Sequence, residues 1–150
     1  TEGAHVGMVN GLAVMGALGM AKALSRKNAM NDGGSLVFMS SVSAVRGRRG
    51  MVAYSAAKAA TSGMVRALAV ELADRRVRVN SITAGAVETA MHRTFVESVS
   101  DDLVAGYRDL HPLGFGQPDD VAAAVAFLLS DASPWITGID LPVDGGYAAK

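Results

Sequence analysis

Tyr54 and Lys58 are four residues apart in the stretch Tyr54-Ser55-Ala56-Ala57-Lys58-Ala59-Ala60. On a helix that spacing puts both side chains on one face. A free tyrosine titrates near about pH 10, so its phenol is a poor proton donor or acceptor at neutral pH. An ammonium group held a few ångströms away favours the phenolate and lowers that pKa. The pair therefore suits proton transfer. Alone it is a weak signal, because a packed ring beside a solvated amine has the same spacing. Ser41 sharpens it. This serine stands thirteen residues before Tyr54, at the end of the run Leu36-Val37-Phe38-Met39-Ser40. A short apolar run of that kind fits a parallel strand covered on both faces. Ligands bind at the carboxyl ends of such strands in open sheets.

The elements that must position these residues can be read along the chain. Residues 5 to about 28 read as a helix, with Val9, Leu12, Met15, Met20, Ala23 and Leu24 supplying much of its apolar surface. Asn31-Asp32-Gly33-Gly34 is a strong break before the strand ending in Ser41. A loop with Arg46, Arg48 and Arg49 leads to a long helix from about Val52 to Asp74, with Met64, Leu68 and Leu72 on one stripe. Arg78 to Thr83 reads as a second strand. Residues 88 to 113 are partly helical without a clear core stripe. Pro118, Asp119 and Asp120 make a helix start, since proline suits the first turn and acids suit the positive dipole end. Val121, Val125, Leu128 and Leu129 are the predicted buried face of that helix, and Ile136 to Val143 the third strand. Strand–helix–strand–helix–strand implies right-handed crossovers and a parallel sheet of about three strands with flanking helices, in one α/β domain over residues 1–150.

Composition narrows the function classes. Half of the 150 residues are hydrophobic and 19% charged, which predicts a buried core. Fourteen basic residues balance fourteen acidic ones, so nothing points to nucleic acid or an anionic membrane. The absence of cysteine excludes disulfides, thiolate metal sites and thiol catalysis, and fits a cytoplasmic protein. Val6 to Ala21 carries no charge, but it is shorter than the roughly 20 apolar residues of a membrane span and contains Asn10 and several glycines. A buried helix is the better reading. His5, His92 and His111 show no metal-ligand spacing and receive no role. The opening at Thr1, straight into structured-looking sequence, suggests a processed or truncated chain.

Leu36 to Gly85, with Ser40-Ser41, Tyr54 to Ala60 and Arg78-Val79-Asn80-Ser81-Ile82, resembles the short-chain dehydrogenase/reductase family. Pro112-Leu113-Gly114, Gly116-Gln117-Pro118-Asp119-Asp120-Val121, Thr137-Gly138 and Val143-Asp144-Gly145-Gly146 resemble the same family's C-terminal segments, in family order. The resemblance implies a partial Rossmann-like, doubly wound sheet and a reversible reduction of a carbonyl to a secondary alcohol with NAD or NADP. It casts Tyr54 as general acid/base, Ser41 as the group orienting the substrate oxygen, and Lys58 as the residue that binds the nicotinamide ribose and lowers the tyrosine pKa. It places Tyr54, Lys58, Gly85, Val87 and Thr89 against the cofactor, with Thr89 at the nicotinamide carboxamide. It also implies a homodimer or homotetramer, built in part on the helix carrying Ala56, Ala59, Ala60 and Gly63.

The chain departs from the family pattern in several places. The Gly-x-x-x-Gly-x-Gly turn that holds the pyrophosphate at a helix N-terminus is not among its seventeen glycines; Gly3, Gly7 and Gly11 lack the closing glycine. The chain is accordingly expected to correspond to the last three-fifths or so of a family member. The nucleotide-binding half would lie upstream or be supplied by a partner. Ala13 stands where the family has a catalytic asparagine; Asn10, three residues earlier, is equally compatible with that role and with none. Ala84 replaces a usual proline, which is expected to loosen the cofactor-facing loop, and an arginine is missing before Phe115-Gly116. Arg46, Arg48 and Arg49 are read as solvated loop charges in preference to an anion-binding mouth. The substrate stays open among 3-oxoacyl thioesters, sugars and steroid or xenobiotic ketones. The competing class is a catalytically inactive dehydrogenase fragment serving as an assembly or binding module.

Overall fold

The break at Asn31 to Gly34 works because Gly33 adopts a left-handed φ of +78°, open to glycine at no steric cost. Its N–H donates to the Arg75 carbonyl at 2.9 Å, and Arg78 N–H donates to the Gly34 carbonyl at 2.9 Å. The starts of the first two strands are thereby set side by side. The computed structural model describes residues 14–24, 26 and 29–149. In chain order its main elements are α1 (Gly16–Leu24), β1 (Ser35–Ser41), α2 (Val52–Glu71), β2 (Arg78–Ala84), α3 (Ala90–Glu97), α4 (Asp101–Asp109), α5 (Pro118–Leu129) and β3 (Asp140–Val143). The part of the first predicted helix before Val14, with Asn10 and Ala13, lies outside the described residues.

The three strands form one parallel sheet in the order β1-β2-β3. Ser41 pairs with Ala84, and Ala84 with Val143, so the three carboxyl ends are level. β2 is buried from Val79 through Thr83, on both of its faces, as a central strand between helical layers requires. The main apolar core joins Ala21 of α1, Val65, Leu68 and Ala69 of α2, Leu72, Val77, and Phe38 and Val79 of the sheet. The predicted stripe of α2 is thus present in Leu68 and Leu72, with Met64 packed at its margin.

Three expectations need correction. The described part of the first helix is not a buried helix: Met15, Leu18 and Met20 are exposed, because only its Ala17 and Ala21 side packs against the core. The third strand begins at Asp140, not Ile136. Gly138 sits at φ +76°, which interrupts an extended chain, and side chains of β2 and the loop add to the two backbone bonds that remain, Gly138 N–H to the Val79 carbonyl at 2.7 Å and Ser81 N–H to the Ile139 carbonyl at 2.9 Å. Asn80 donates to the Ile136 carbonyl at 2.9 Å and accepts from Ile139 N–H at 3.2 Å, while Thr137 Oγ1 accepts from Val79 N–H at 2.9 Å. On α5, Leu128 is fully buried but Leu129 is 48% exposed. Each residue turns a helix by about 100°, so Leu129 falls at the edge of the stripe that holds Val121, Val125 and Leu128. The polar N-terminus of that helix is as expected: Asp120 accepts from Gln117 N–H at 2.7 Å.

Candidate active site

Level strand ends bring three turns to one edge of the sheet. After β1 the chain enters a 3-10 turn, Val42–Ala44, which Ser41 caps by accepting from Ser43 N–H at 3.2 Å. That bond uses a lone pair and leaves the Ser41 hydroxyl proton free to donate outward. α2 is fastened to the same strand end from two sides. Ser40 Oγ donates to the Lys58 carbonyl at 3.2 Å, and Lys58 Nζ donates to the Met39 carbonyl at 3.0 Å. The second bond fixes the amine beside its helical neighbour, 5.7 Å from the Tyr54 ring centroid. Burial pushes the Lys58 amine below its ordinary value. Tyr54 and Lys58 are thereby held beside the strand end that carries Ser41, the edge where ligands of open parallel sheets bind.

The turn after β2 faces them. Gly85 N–H donates to the Val143 carbonyl at 3.0 Å, and a Cβ on Gly85 would lie 2.8 Å from Asp144 Cα. Only glycine permits that approach. Val87 forms an isolated parallel bridge with Gly116, in which Glu88 N–H donates to the Gly116 carbonyl and Gly116 N–H to the Ala86 carbonyl, both at 2.9 Å. Thr89 caps α3, its hydroxyl accepting from His92 N–H at 3.3 Å. Gly85, Val87 and Thr89 thus lie on one braced segment, and the expected loosening at Ala84 is opposed by these bonds. Among the described residues Val87 N–H has no protein acceptor.

A cluster of aromatic rings backs this turn, and no residue pattern announces it. Tyr107 and His111 of the α4 region, Phe115 and Tyr147 pack with ring centroids 4.7–6.3 Å apart. Arg48 lies 4.4 Å over Tyr107, and Arg46 lies 4.6 Å over Tyr147 while donating to its carbonyl. The reading as solvated loop charges holds for Arg48 and Arg49, which are exposed, and is corrected for the half-buried Arg46; the guanidinium groups of Arg46 and Arg48 lie over rings, which ties the β1–α2 loop to the C-terminal turns. Burial pushes the Tyr107 phenol above its ordinary value; Arg48 opposes this, and Tyr147 and Tyr54 add to it. A guanidinium is also present beside Phe115 despite the missing arginine before it, because Arg108 reaches over that ring at 5.2 Å. A cavity of about 320 Å³ between α3 and α4 is lined by Glu88, His92, Arg108 and Phe115 among others, but not by Ser41, Tyr54 or Lys58.

Comparison with known proteins agrees with this arrangement. Residues 2–148 match the sequence model of a family described as enoyl-(acyl carrier protein) reductase. The chain belongs to the short-chain dehydrogenase/reductase family. It is 43% identical over 113 residues to an acetoacetyl-CoA reductase of Allochromatium vinosum, a match covering 75% of this chain and 45% of that protein. A short-chain dehydrogenase family protein from Francisella tularensis superposes with a TM-score of 0.90 at 32% identity, covering 97% of this chain and 63% of the other. ElxO with NADP bound is similar with a TM-score of 0.70 at 28% identity, covering 89% of this chain and 51% of its own. The chain thus spans about half the length of the curated relatives it matches. No described helix is long and apolar enough to cross a membrane.

Proposed function

We propose that this short-chain dehydrogenase/reductase chain carries the catalytic half of an NAD(P)-dependent oxidoreductase that interconverts a carbonyl and a secondary alcohol. As a domain, residues 1–150 would form the C-terminal part of the family's Rossmann fold. The observation that supports the reading is the double fastening of α2 to the end of β1, which holds Lys58 5.7 Å from the Tyr54 ring beside the strand end that carries Ser41. When bound, a nicotinamide cofactor supplies the hydride exchanged with the substrate carbon. Ser41, with its free hydroxyl proton, holds the substrate oxygen. Tyr54 gives that oxygen its proton in reduction and takes it back in oxidation. Lys58 keeps a positive charge next to the phenol, favouring its ionised form, and has ammonium protons left for a ribose hydroxyl. Gly85, Val87 and Thr89 line the nicotinamide side, with the Val87 N–H and the Thr89 hydroxyl as the polar groups there.

The similarity to an acetoacetyl-CoA reductase supports a 3-oxoacyl thioester as the first substrate to try, and the NADP complex of ElxO supports NADPH as the first cofactor. The test is Tyr54→Phe. Turnover should fall by roughly 10²–10⁴, the usual worth of a positioned acid or base, while cofactor affinity stays within about twofold, because the phenol proton is used only in chemistry. Undiminished turnover would sink the mechanism.

A second reading is an assembly or binding module without turnover, with self-association as its means. It draws on the exposed Met15, Leu18 and Met20 of α1. A folded, associated chain that binds no nicotinamide would favour it.

A further inference from the structure

His111 is 3% exposed and both of its ring nitrogens are engaged. Ala86 N–H donates to Nε2 at 3.2 Å. That nitrogen must therefore be the bare one, so the proton sits on Nδ1 and is donated to the Tyr107 carbonyl at 3.0 Å. The imidazolium form carries protons on both nitrogens and accepts from neither. Among the described residues no carboxylate is bonded to the ring. Tyr107 stacks on it at 5.1 Å and Tyr147 at 4.7 Å. Beyond the surrounding rings lie cations: Arg46 over Tyr147, Arg48 over Tyr107 and Arg108 over Phe115. Asp144, next to the Gly145 that packs on His111, has its carboxylate committed to Gly146 and Ala148 N–H at 2.9 and 2.8 Å.

Ala86 follows Gly85 directly and opens the segment that runs through Val87 to Thr89. Its two anchors are distinct: the carbonyl holds Gly116, and the N–H holds His111. We propose that His111 is a positioning residue whose neutral ring fixes the Gly85–Thr89 turn, and that its protonation releases the turn. Resting on the oxidoreductase reading above, this makes nicotinamide affinity fall in acid through a residue that need not touch the cofactor. The sign follows from the bond. The neutral, higher-pH ring accepts from Ala86, and the charged, lower-pH ring cannot.

The experiment is ¹H–¹⁵N NMR of the 150-residue chain titrated from about pH 8 to about pH 5, the range in which histidines change charge. At the upper end the His111 ring should be the Nδ1–H tautomer, and the Ala86 amide resonance should follow the ring's titration curve. In His111→Gln the side-chain oxygen can take the place of Nε2 without titrating, so the Ala86 amide should keep its high-pH position throughout. In His111→Asn the side chain reaches only the Tyr107 side, so that amide should sit at its released position at every pH. An Nε2–H tautomer, a ring that stays neutral down to about pH 5, an Ala86 amide indifferent to the ring's charge, or a wild-type amide position in His111→Asn would overturn the proposal. NADPH emission titrations over the same range give the functional arm. Affinity should drop about tenfold along the wild-type curve, the worth of about 1.4 kcal/mol, and stay flat in His111→Gln. A moving amide with flat affinity would refute the link from turn to cofactor. No NADPH binding at any pH would instead count against the oxidoreductase reading and leave the amide result to judge His111.

Discussion

Replacing Gly85 by alanine tests whether the turn after β2 is as tightly seated on the Asp144 turn as the structure has it. The added methyl carbon would stand 2.8 Å from Asp144 Cα, 3.0 Å from its Cβ and 3.1 Å from its carbonyl oxygen. Two of those three atoms are backbone, so no flexible side chain can swing away to make room. Gly85 is not in the left-handed region, which leaves contact as the source of the cost. Forcing an extra carbon into a filled space costs about 1–3 kcal/mol. For a chain of this size each kcal/mol is worth about 2–4 °C, so Gly85→Ala should melt roughly 2–12 °C below wild type. The control is Gly47→Ala, where nothing lies within 4 Å of the new Cβ; it should match or slightly exceed wild type. Thermal unfolding followed by circular dichroism reads both. The displaced Gly85–Thr89 segment should also weaken NADPH binding in Gly85→Ala and leave it unchanged in Gly47→Ala. A Gly85→Ala chain that melts with wild type would refute the close approach.

Burial lowers the Lys58 pKa, so folding pays a cost for its ammonium at every pH below the folded-state value, and that cost fades as pH rises from there towards the ordinary lysine value. Lys58→Met should accordingly melt above wild type at neutral pH, with the gap narrowing in alkali, while turnover is lost; a lower melting temperature at pH 7 would contradict the desolvation argument. Arg78 donates to the Leu128 carbonyl at 2.6 Å, to Ser133 Oγ at 2.8 Å and to the Ser130 carbonyl at 3.0 Å, closing the C-terminal end of α5. Arg78→Met should cost about 2–4 kcal/mol in urea unfolding, since charged donors to partly buried acceptors are worth more than neutral ones; a loss below about 0.5 kcal/mol would show that solvent replaces the guanidinium. The Tyr54→Phe and His111→Gln results stated above complete the set.

Much of the fold was legible because its signals are local. The strand β1 is an unbroken apolar run before two serines, α5 announces itself by Pro118-Asp119-Asp120, and the i, i+4 pair of Tyr54 and Lys58 needs only a helix to be meaningful. What failed depended on distant partners. Ile136 to Ile139 has strand-like composition, but Asn80, fifty-six residues earlier, takes up the Ile136 carbonyl and no local pattern reports it. Arg46 reads as a loop charge because the ring it lies over, Tyr147, is far along the chain, and the contact of the exposed Arg48 with Tyr107 is equally distant. His111 has no spacing that marks it; its meaning comes from the Ala86 N–H that the fold aims at its Nε2. The candidate residues Ser41, Tyr54 and Lys58 were readable through motif order, and the aromatic cluster behind the turn after β2 was not.

The most direct test of the central claim is an emission titration of the folded 150-residue chain with NADH and NADPH. The account predicts saturable binding of at least one of them, lost in Lys58→Ala and retained in Tyr54→Phe. A chain shown to be folded that binds neither would contradict the claim that Ser41, Tyr54 and Lys58 form a working nicotinamide-dependent site in it.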